Sequence, residues 1–137
     1  QKKLKINPAQ IQKAAKKILT IKKVKSGTLS LTFVTSQKIR ALNKKYLGRT
    51  YATDVLSFNL SDEKGFNGDV VISTDAVRIN AREFNNHPND EMLLYIIHGI
   101  LHLLGYKDYK KKDIEEMRKE EAKVLEKLSA SRLKVIR

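Results

Sequence analysis

The stretch Met92-Leu-Leu-Tyr-Ile-Ile-His98-Gly-Ile-Leu-His102-Leu-Leu104 indicates a helix that is apolar on every side. A helix with this pattern is normally buried. Its two histidines are the strongly polar side chains of the stretch. Each needs a partner, because an unpaired polar group in an apolar interior costs on the order of 1–3 kcal/mol. The stretch therefore predicts a central buried helix whose two imidazoles each have a polar partner.

The spacing of the two histidines points to a metal ion. Helical positions four apart differ by about 40° around the axis, so His98 and His102 can aim both imidazoles at one point. Gly105 stands where a left-handed residue ends a helix, and the bend lets Asp108 reach the same point. Three such ligands form a catalytic metal site with room for water. The competing interpretation is two core histidines bonded to backbone carbonyls, and the combined pattern favours the metal.

Other residues suit this site less well. His87 would lie about 16 Å before His98 on a shared helix, so we expect it at a helix start or on the surface. Asp113, further into the next helix, is the alternative to Asp108 as third ligand.

Two other classes of metalloenzyme have related ligand patterns. Zinc peptidases with similar spacing carry a general-base glutamate where this chain has Gly99, which disfavours a peptidase. Two His and one carboxylate also resemble iron oxygenase sites, but nothing indicates an organic co-substrate.

The charge of the chain is strongly asymmetric. The 137 residues, which we interpret as one domain, have a net charge of +13. Residues 1–50 contain 14 Lys and Arg and no Asp or Glu, whereas residues 51–137 contain 14 basic and 15 acidic residues. Such a segment attracts polyanions, with affinity that falls steeply as salt rises. Nucleic acid is the predicted partner, and an anionic membrane surface is the less favoured one.

Composition also bounds the compartment. The chain has no cysteine, which excludes disulfides and thiolate zinc sites. No apolar run reaches the roughly 20 residues of a membrane span. The N-terminus lacks the apolar core of a secretory signal. We therefore expect a cytoplasmic protein without a membrane partner.

Periodicity and capping residues predict strands and helices that do not strictly alternate, which is typical of an α+β domain. The predicted strands are Lys3–Ile6, Thr28–Thr35, Asp54–Leu60 and Asp69–Ser73, with a loop at Ser61–Gly68. Five helices are predicted. The first begins after the cap Asn7, the second runs from the cap Ser36 to Gly48, the third covers Thr74–Phe84, and the fourth begins at Pro88. The fifth ends the chain and has the apolar positions Ile114, Met117, Val124, Leu125 and Leu128.

The motif His98-Gly-x-Leu-His102-Leu-x-Gly105-Tyr106 resembles the signature of the YbeY family of bacterial metal-dependent endoribonucleases. Two other stretches resemble that family: Thr53-Asp-Val-Leu-Ser-Phe58, after Leu42-Asn43, and Gly68-Asp-Val-Val-Ile-Ser73. The resemblance implies a small mixed β-sheet packed by about five helices, a zinc site and cleavage of single-stranded RNA. It implies ribosomal RNA and the ribosome as partners, in maturation of the small-subunit RNA precursor and in ribosome quality control.

The chain departs from the family pattern near the site. Asp108 stands where the family usually has a third histidine, Lys107 where it has an aspartate, and Leu47 where it has a functionally important arginine. An aspartate ligand lowers the net charge of the site from +2 to about +1, so bound water is acidified less strongly. It also shifts the metal preference from Zn²⁺ towards Mn²⁺ or Mg²⁺.

These observations define the predicted functional residues. The predicted metal ligands are His98, His102 and Asp108, and the predicted catalytic residues are His98, His102 and Arg49. The predicted RNA-binding residues are Arg40, Lys44, Lys45, Arg49 and Lys107. Asp54, Ser57 and Asp69 either line the cleft or have structural roles, and no side chain is predicted as a general base. A non-catalytic RNA- or ribosome-binding module is the alternative function, and a zinc metallopeptidase is the less favoured one.

Overall fold

The computed structural model describes residues 7–49 and 53–136, with side chains up to residue 129. Along these residues the elements are α1 (Pro8–Ile21), β1 (Gly27–Val34), α2 (Ser36–Leu47), β2 (Val55–Asn59), β3 (Phe66–Ser73), α3 (Thr74–Glu83), α4 (Pro88–Leu103) and α5 (Lys111–Ile136). The predicted α+β class is confirmed. The strand predicted at Lys3–Ile6 lies outside the described residues. In the part of the chain described here, no helix is long and apolar enough to cross a membrane.

The three strands form one mixed sheet in the order β1-β3-β2. Strand β1 pairs in parallel with β3, and β2 pairs with β3 in the antiparallel direction. Parallel neighbours need a crossover, which here runs through α2 and β2. Strand β3 begins at Phe66, three residues before the predicted start at Asp69, because Phe66 pairs with Gly27 and packs against the core. The polar and glycine-rich sequence around it concealed this longer strand.

Helix α4 is the central element, as its sequence predicts. It contacts α1, α3, α5, β2 and β3, and most of its apolar side chains are buried, whereas the face with Tyr95, His98 and His102 is partly exposed. His87 caps its start, where the imidazole Nδ1 accepts a hydrogen bond from the Asn89 N–H at 3.1 Å. The expectation that His87 lies at a helix start is therefore confirmed. Ser57 of β2 donates its hydroxyl to the Gly99 carbonyl at 2.8 Å, which joins the helix to the sheet.

Helix α2 covers part of the opposite face of the sheet, where Ile39 packs with Leu56 and Val71. Its N-cap is Thr35, whose side chain accepts from the Lys38 N–H, and not Ser36 as predicted. Ser36 is the first helical residue, and its hydroxyl lies 2.8 Å from the hydroxyl of Ser73. The helix ends, as predicted, at Gly48, which has φ of +64°.

Asp75 fastens the start of α3 to the start of α2. Its Oδ2 accepts the Ser36 N–H at 2.8 Å, and its Oδ1 accepts from Arg78 at 2.8 Å. The hydrogen bond from Ser36, followed by that from Arg78, lowers the pKa of the Asp75 carboxyl below its ordinary value. The charged form is therefore favoured in the folded state.

We expect Asp75→Asn to lower the free energy of unfolding at pH 7 by about 1 kcal/mol, because a charge-assisted hydrogen bond is replaced by a neutral one. A group with a depressed folded-state pKa stabilises above its unfolded-state pKa, and this contribution is lost as the pH falls through the folded-state value. The difference from wild type in urea denaturation should therefore shrink below about pH 4. Glu83→Gln, at the exposed end of the same helix, is the control. A difference that stays constant from pH 7 to pH 3 would contradict this role.

Candidate metal centre

The two histidines of α4 point to one place. His98 and His102 lie one helical turn apart, and their Nε2 atoms are 3.1 Å from each other. The ring planes are inclined at 80° with centroids 4.6 Å apart, so the two nitrogens converge without stacking of the rings. Each residue is partly exposed while its neighbours in the helix are buried. The largely buried helix therefore presents two nitrogen donors on its partly exposed face.

A bend after α4 brings a carboxylate to the same place. Gly105 has φ of +100°, and the Tyr106 N–H donates to the Leu101 carbonyl at 3.1 Å, which is typical of a helix end closed by glycine. Beyond this bend, Asp108 Oδ2 lies 3.2 Å from His102 Nε2 and 3.4 Å from His98 Nε2. The predicted convergence of the three side chains is confirmed.

The donor geometry suits a small divalent cation. Ligand atoms at about 2.0–2.1 Å from a tetrahedral ion lie roughly 3.3 Å from one another. The three separations here are 3.1, 3.2 and 3.4 Å. Two neutral imidazole nitrogens and one carboxylate oxygen are also donors that zinc, manganese and iron accept. The group can therefore hold a metal ion and leave at least one coordination position open.

A second carboxylate, which the sequence did not reveal, supports the first histidine. Glu121 of α5 places Oε2 at 2.9 Å from His98 Nδ1, on the side of the ring away from the three converging atoms. Glu121 lies on the same face of α5 as the buried Met117 and Val124, at helical spacing. A glutamate inside an apolar helical stripe is the signal that could have identified it. Ile114, which the sequence predicts to lie in that stripe, is instead exposed.

The charges around His98 shift its titration. Burial lowers the pKa of the imidazole, but the hydrogen bond and charge of Glu121, together with Asp108, outweigh burial and raise the pKa above its ordinary value. Two carboxylates thus stabilise positive charge at this position. The same arrangement stabilises a cation that replaces the proton.

The metal group lies in a cavity of about 1010 Å³, and the predicted basic residues divide between its wall and the surface outside it. Arg49 and Lys107 line the cavity with His98, His102 and Asp108. Arg40, Lys44 and Lys45 are exposed on α2 and are not among the described lining residues. Leu47 also lines the cavity.

The sequence does not decide whether Asp54, Ser57 and Asp69 line the cleft or have structural roles, and the structure places them differently. Asp54 lines the cavity and accepts from the Tyr95 hydroxyl at 3.4 Å and from Asn80. Ser57 lines the cavity as well, although its hydroxyl is engaged with the Gly99 carbonyl. Asp69 accepts from Thr32 at 3.3 Å and is not in the described lining. Asp69 therefore has a structural role.

An ion pair joins the residue after α1 to α5. Lys22 Nζ, just after α1, lies 2.9 Å from Glu120 Oε2 and 3.0 Å from the Tyr106 hydroxyl. The hydrogen bonds to Tyr106 and Glu120 raise the pKa of Lys22 against the opposing effect of burial. Adjacent glutamates of α5 therefore bind different partners: Glu120 contacts Lys22, and Glu121 contacts His98.

Comparisons with known proteins identify the family of the chain. The family model described as Endoribonuclease YbeY matches residues 1–129. Endoribonuclease YbeY of Syntrophus aciditrophicus is 40% identical over 112 residues, covering 77% of this chain and 70% of that protein. The Aquifex aeolicus protein of the same name is 41% identical over 133 residues, covering 93% and 88%. A Thermotoga maritima protein solved in solution superposes with a TM-score of 0.59 at 29% identity, covering 93% and 89%. The chain therefore belongs to the Endoribonuclease YbeY family.

Proposed function

We propose that this chain is a metal-dependent endoribonuclease that hydrolyses phosphodiester bonds of single-stranded RNA. The observation that carries the proposal is the convergence of His98, His102 and Asp108 within one cavity, in a chain of this family. We assign the activity to a single cytoplasmic domain, residues 1–137. The proposed substrate is the precursor of small-subunit ribosomal RNA, and the ribosome is the proposed partner.

His98, His102 and Asp108 are the proposed ligands. When bound, a divalent ion supplies Lewis acidity towards a phosphate oxygen and acidifies water. Zn²⁺ is the proposed ion because imidazole nitrogens dominate the donor set, and Mn²⁺ or Mg²⁺ are the alternatives because Asp108 adds a hard oxygen. The second carboxylate at 2.9 Å from His98 strengthens attraction for any divalent cation.

The basic residues have two proposed tasks that depend on their positions. Arg49 and Lys107 line the cavity, so they can offset the negative charge that develops on the phosphate during cleavage. Arg40, Lys44 and Lys45 lie outside the lining on the exposed surface of α2, so they can bind phosphates of the RNA further along the strand. Arg49 is thus the proposed catalytic arginine, placed just after the end of α2 at Gly48.

Metal removal tests the proposed function. We expect the chelated, dialysed protein to lose cleavage of a single-stranded RNA and to regain it when Zn²⁺ or Mn²⁺ is added. The measurement is the rate of product formation on a gel, with a duplex of the same sequence as the comparison substrate. Because the basic surface does not depend on the metal, RNA binding should persist in the chelated sample and weaken steeply with salt. Cleavage at an unchanged rate after complete removal of metal would contradict the proposal.

A non-catalytic RNA- or ribosome-binding module is the second candidate function. It is favoured by Leu47, which lines the cavity at the position where the family resemblance places an arginine. In that case the protein binds RNA in a salt-sensitive manner and leaves it intact at every metal concentration. The same gel and binding measurements separate the two candidates.

A further inference from the structure

We infer that Glu121 is a positioning residue, which fixes the tautomer and orientation of the His98 imidazole for metal binding; the inference rests on the proposed function. Glu121 Oε2 is 2.9 Å from His98 Nδ1. A carboxylate at this distance accepts the Nδ1 proton, so the lone pair of the neutral ring lies on Nε2. Nε2 is the atom that faces His102 and Asp108.

Without this carboxylate, the His98 ring can adopt the other tautomer, in which a proton on Nε2 blocks metal binding. A proton on Nε2 can be donated directly to His102 Nε2 at 3.1 Å or to Asp108 Oδ2 at 3.4 Å. In that state His98 offers no lone pair to a cation, and one of the other two donors is also engaged. Glu121 therefore favours the tautomer in which all three donors are available.

The position of Glu121 excludes a direct role at the metal. Its oxygen contacts the ring on the side opposite Nε2, so the whole imidazole lies between the carboxylate and the point where the three donors converge. Its side chain is only 19% exposed, and Met117 and Val124 on the same face of α5 are buried. These contacts hold the carboxylate in place against α4.

Glu120 provides a matched control within the same turn of α5. Its side chain has nearly the same exposure, 18%, but it is paired with Lys22 at 2.9 Å. Removing either carboxylate breaks one contact between α5 and another helix. Only Glu121 contacts a proposed metal ligand. A difference between the two variants therefore reports on His98, whereas an equal effect reports on helix packing.

The experiment measures the affinity of the full chain for Zn²⁺ and Co²⁺ by competition with a chelating dye. We expect Glu121→Ala to weaken binding about 10–100-fold, which is the usual effect of removing a carboxylate behind a histidine ligand. Glu121→Gln should lose about threefold or more, because a neutral acceptor makes a hydrogen bond roughly half as strong. Glu120→Ala should stay within about twofold of wild type.

A second readout uses the metal-free protein. At a pH above the pKa of the ring, the imidazole nitrogen resonances of His98 should show the proton on Nδ1 in wild type and a shift towards Nε2 in Glu121→Ala. If that variant does not fold, Glu121→Gln carries the test through its affinity. Wild-type affinity in the Glu121 variants, or an equal loss in Glu120→Ala, would overturn the positioning role alone. A wild-type protein that binds neither ion would overturn the proposed function together with it.

Discussion

Replacing His102 by alanine is expected to remove both the bound divalent ion and the cleavage of RNA. His102 Nε2 lies within 3.1 Å of His98 Nε2 and within 3.2 Å of Asp108 Oδ2, so it contacts both other donors. Residues that only support a ligand usually contribute about 10–100-fold to metal affinity, and a direct ligand contributes more. We therefore expect metal affinity to fall by more than about 100-fold and single-strand cleavage to fall with it.

Metal content of the purified protein and the initial rate of RNA cleavage are the two measurements. His87→Ala is the matched control, because His87 caps the same helix and its Nδ1 accepts the Asn89 N–H. Loss of that cap should cost about 0.5–2 kcal/mol of stability and leave metal content unchanged. Full activity of His102→Ala with an unchanged metal content would contradict the assignment of the ligands.

The three proposed ligands could be predicted because the contacts among them are local. The four-residue helical spacing places the two histidines on one face of the helix. The bend at Gly105 brings Asp108, six residues after His102, to the same point. The contact of Glu121 with His98 could not be predicted, because the two residues are 23 positions apart in sequence and meet only where α5 packs on α4. Helical periodicity places Glu121 on a buried face but does not say which helix that face meets.

The basic residues show a similar limit. The sequence predicts that Arg40, Lys44, Lys45 and Arg49 bind RNA, and of these four only Arg49 is in the described lining of the cavity. The left-handed conformation of Gly48 ends α2 and turns the chain, so Arg49 leaves the direction of the helix. The sequence predicts the turn, because Gly48 follows the last helical residue of α2. It does not predict that the residue after the turn lines a cavity.

Gly99→Ala is expected to destabilise the fold, although alanine is the better helix former. An added Cβ would lie 2.4 Å from Cγ1 of the fully buried Val70 and 3.3 Å from Cγ1 of Val55. Overpacking of this kind costs about 1–3 kcal/mol, more than the roughly 1 kcal/mol that alanine gains over glycine within a helix. The helix must move away from the sheet, which also strains the hydrogen bond from Ser57 to the Gly99 carbonyl.

Urea denaturation of Gly99→Ala and Gly68→Ala gives the comparison, since both glycines lie where α4 meets the sheet. A Cβ at Gly68 would meet the end of the Leu103 side chain at 2.5 Å, which can rotate away more easily than Val70 can. We therefore expect the smaller loss for Gly68→Ala. A Gly99→Ala protein as stable as wild type would show that the helix and sheet are not in tight contact.

The same contact bears on the peptidase alternative. From the sequence, Gly99 disfavoured a peptidase because glycine cannot transfer a proton, whereas the structure adds a steric reason. If a single Cβ already overlaps Val70, a glutamate in its place meets the interior of the sheet and not the metal. We expect Gly99→Glu to prevent folding, as judged by circular dichroism, and to yield no cleavage of casein. A folded Gly99→Glu protein with peptidase activity would contradict the packing of α4 on β2 and β3.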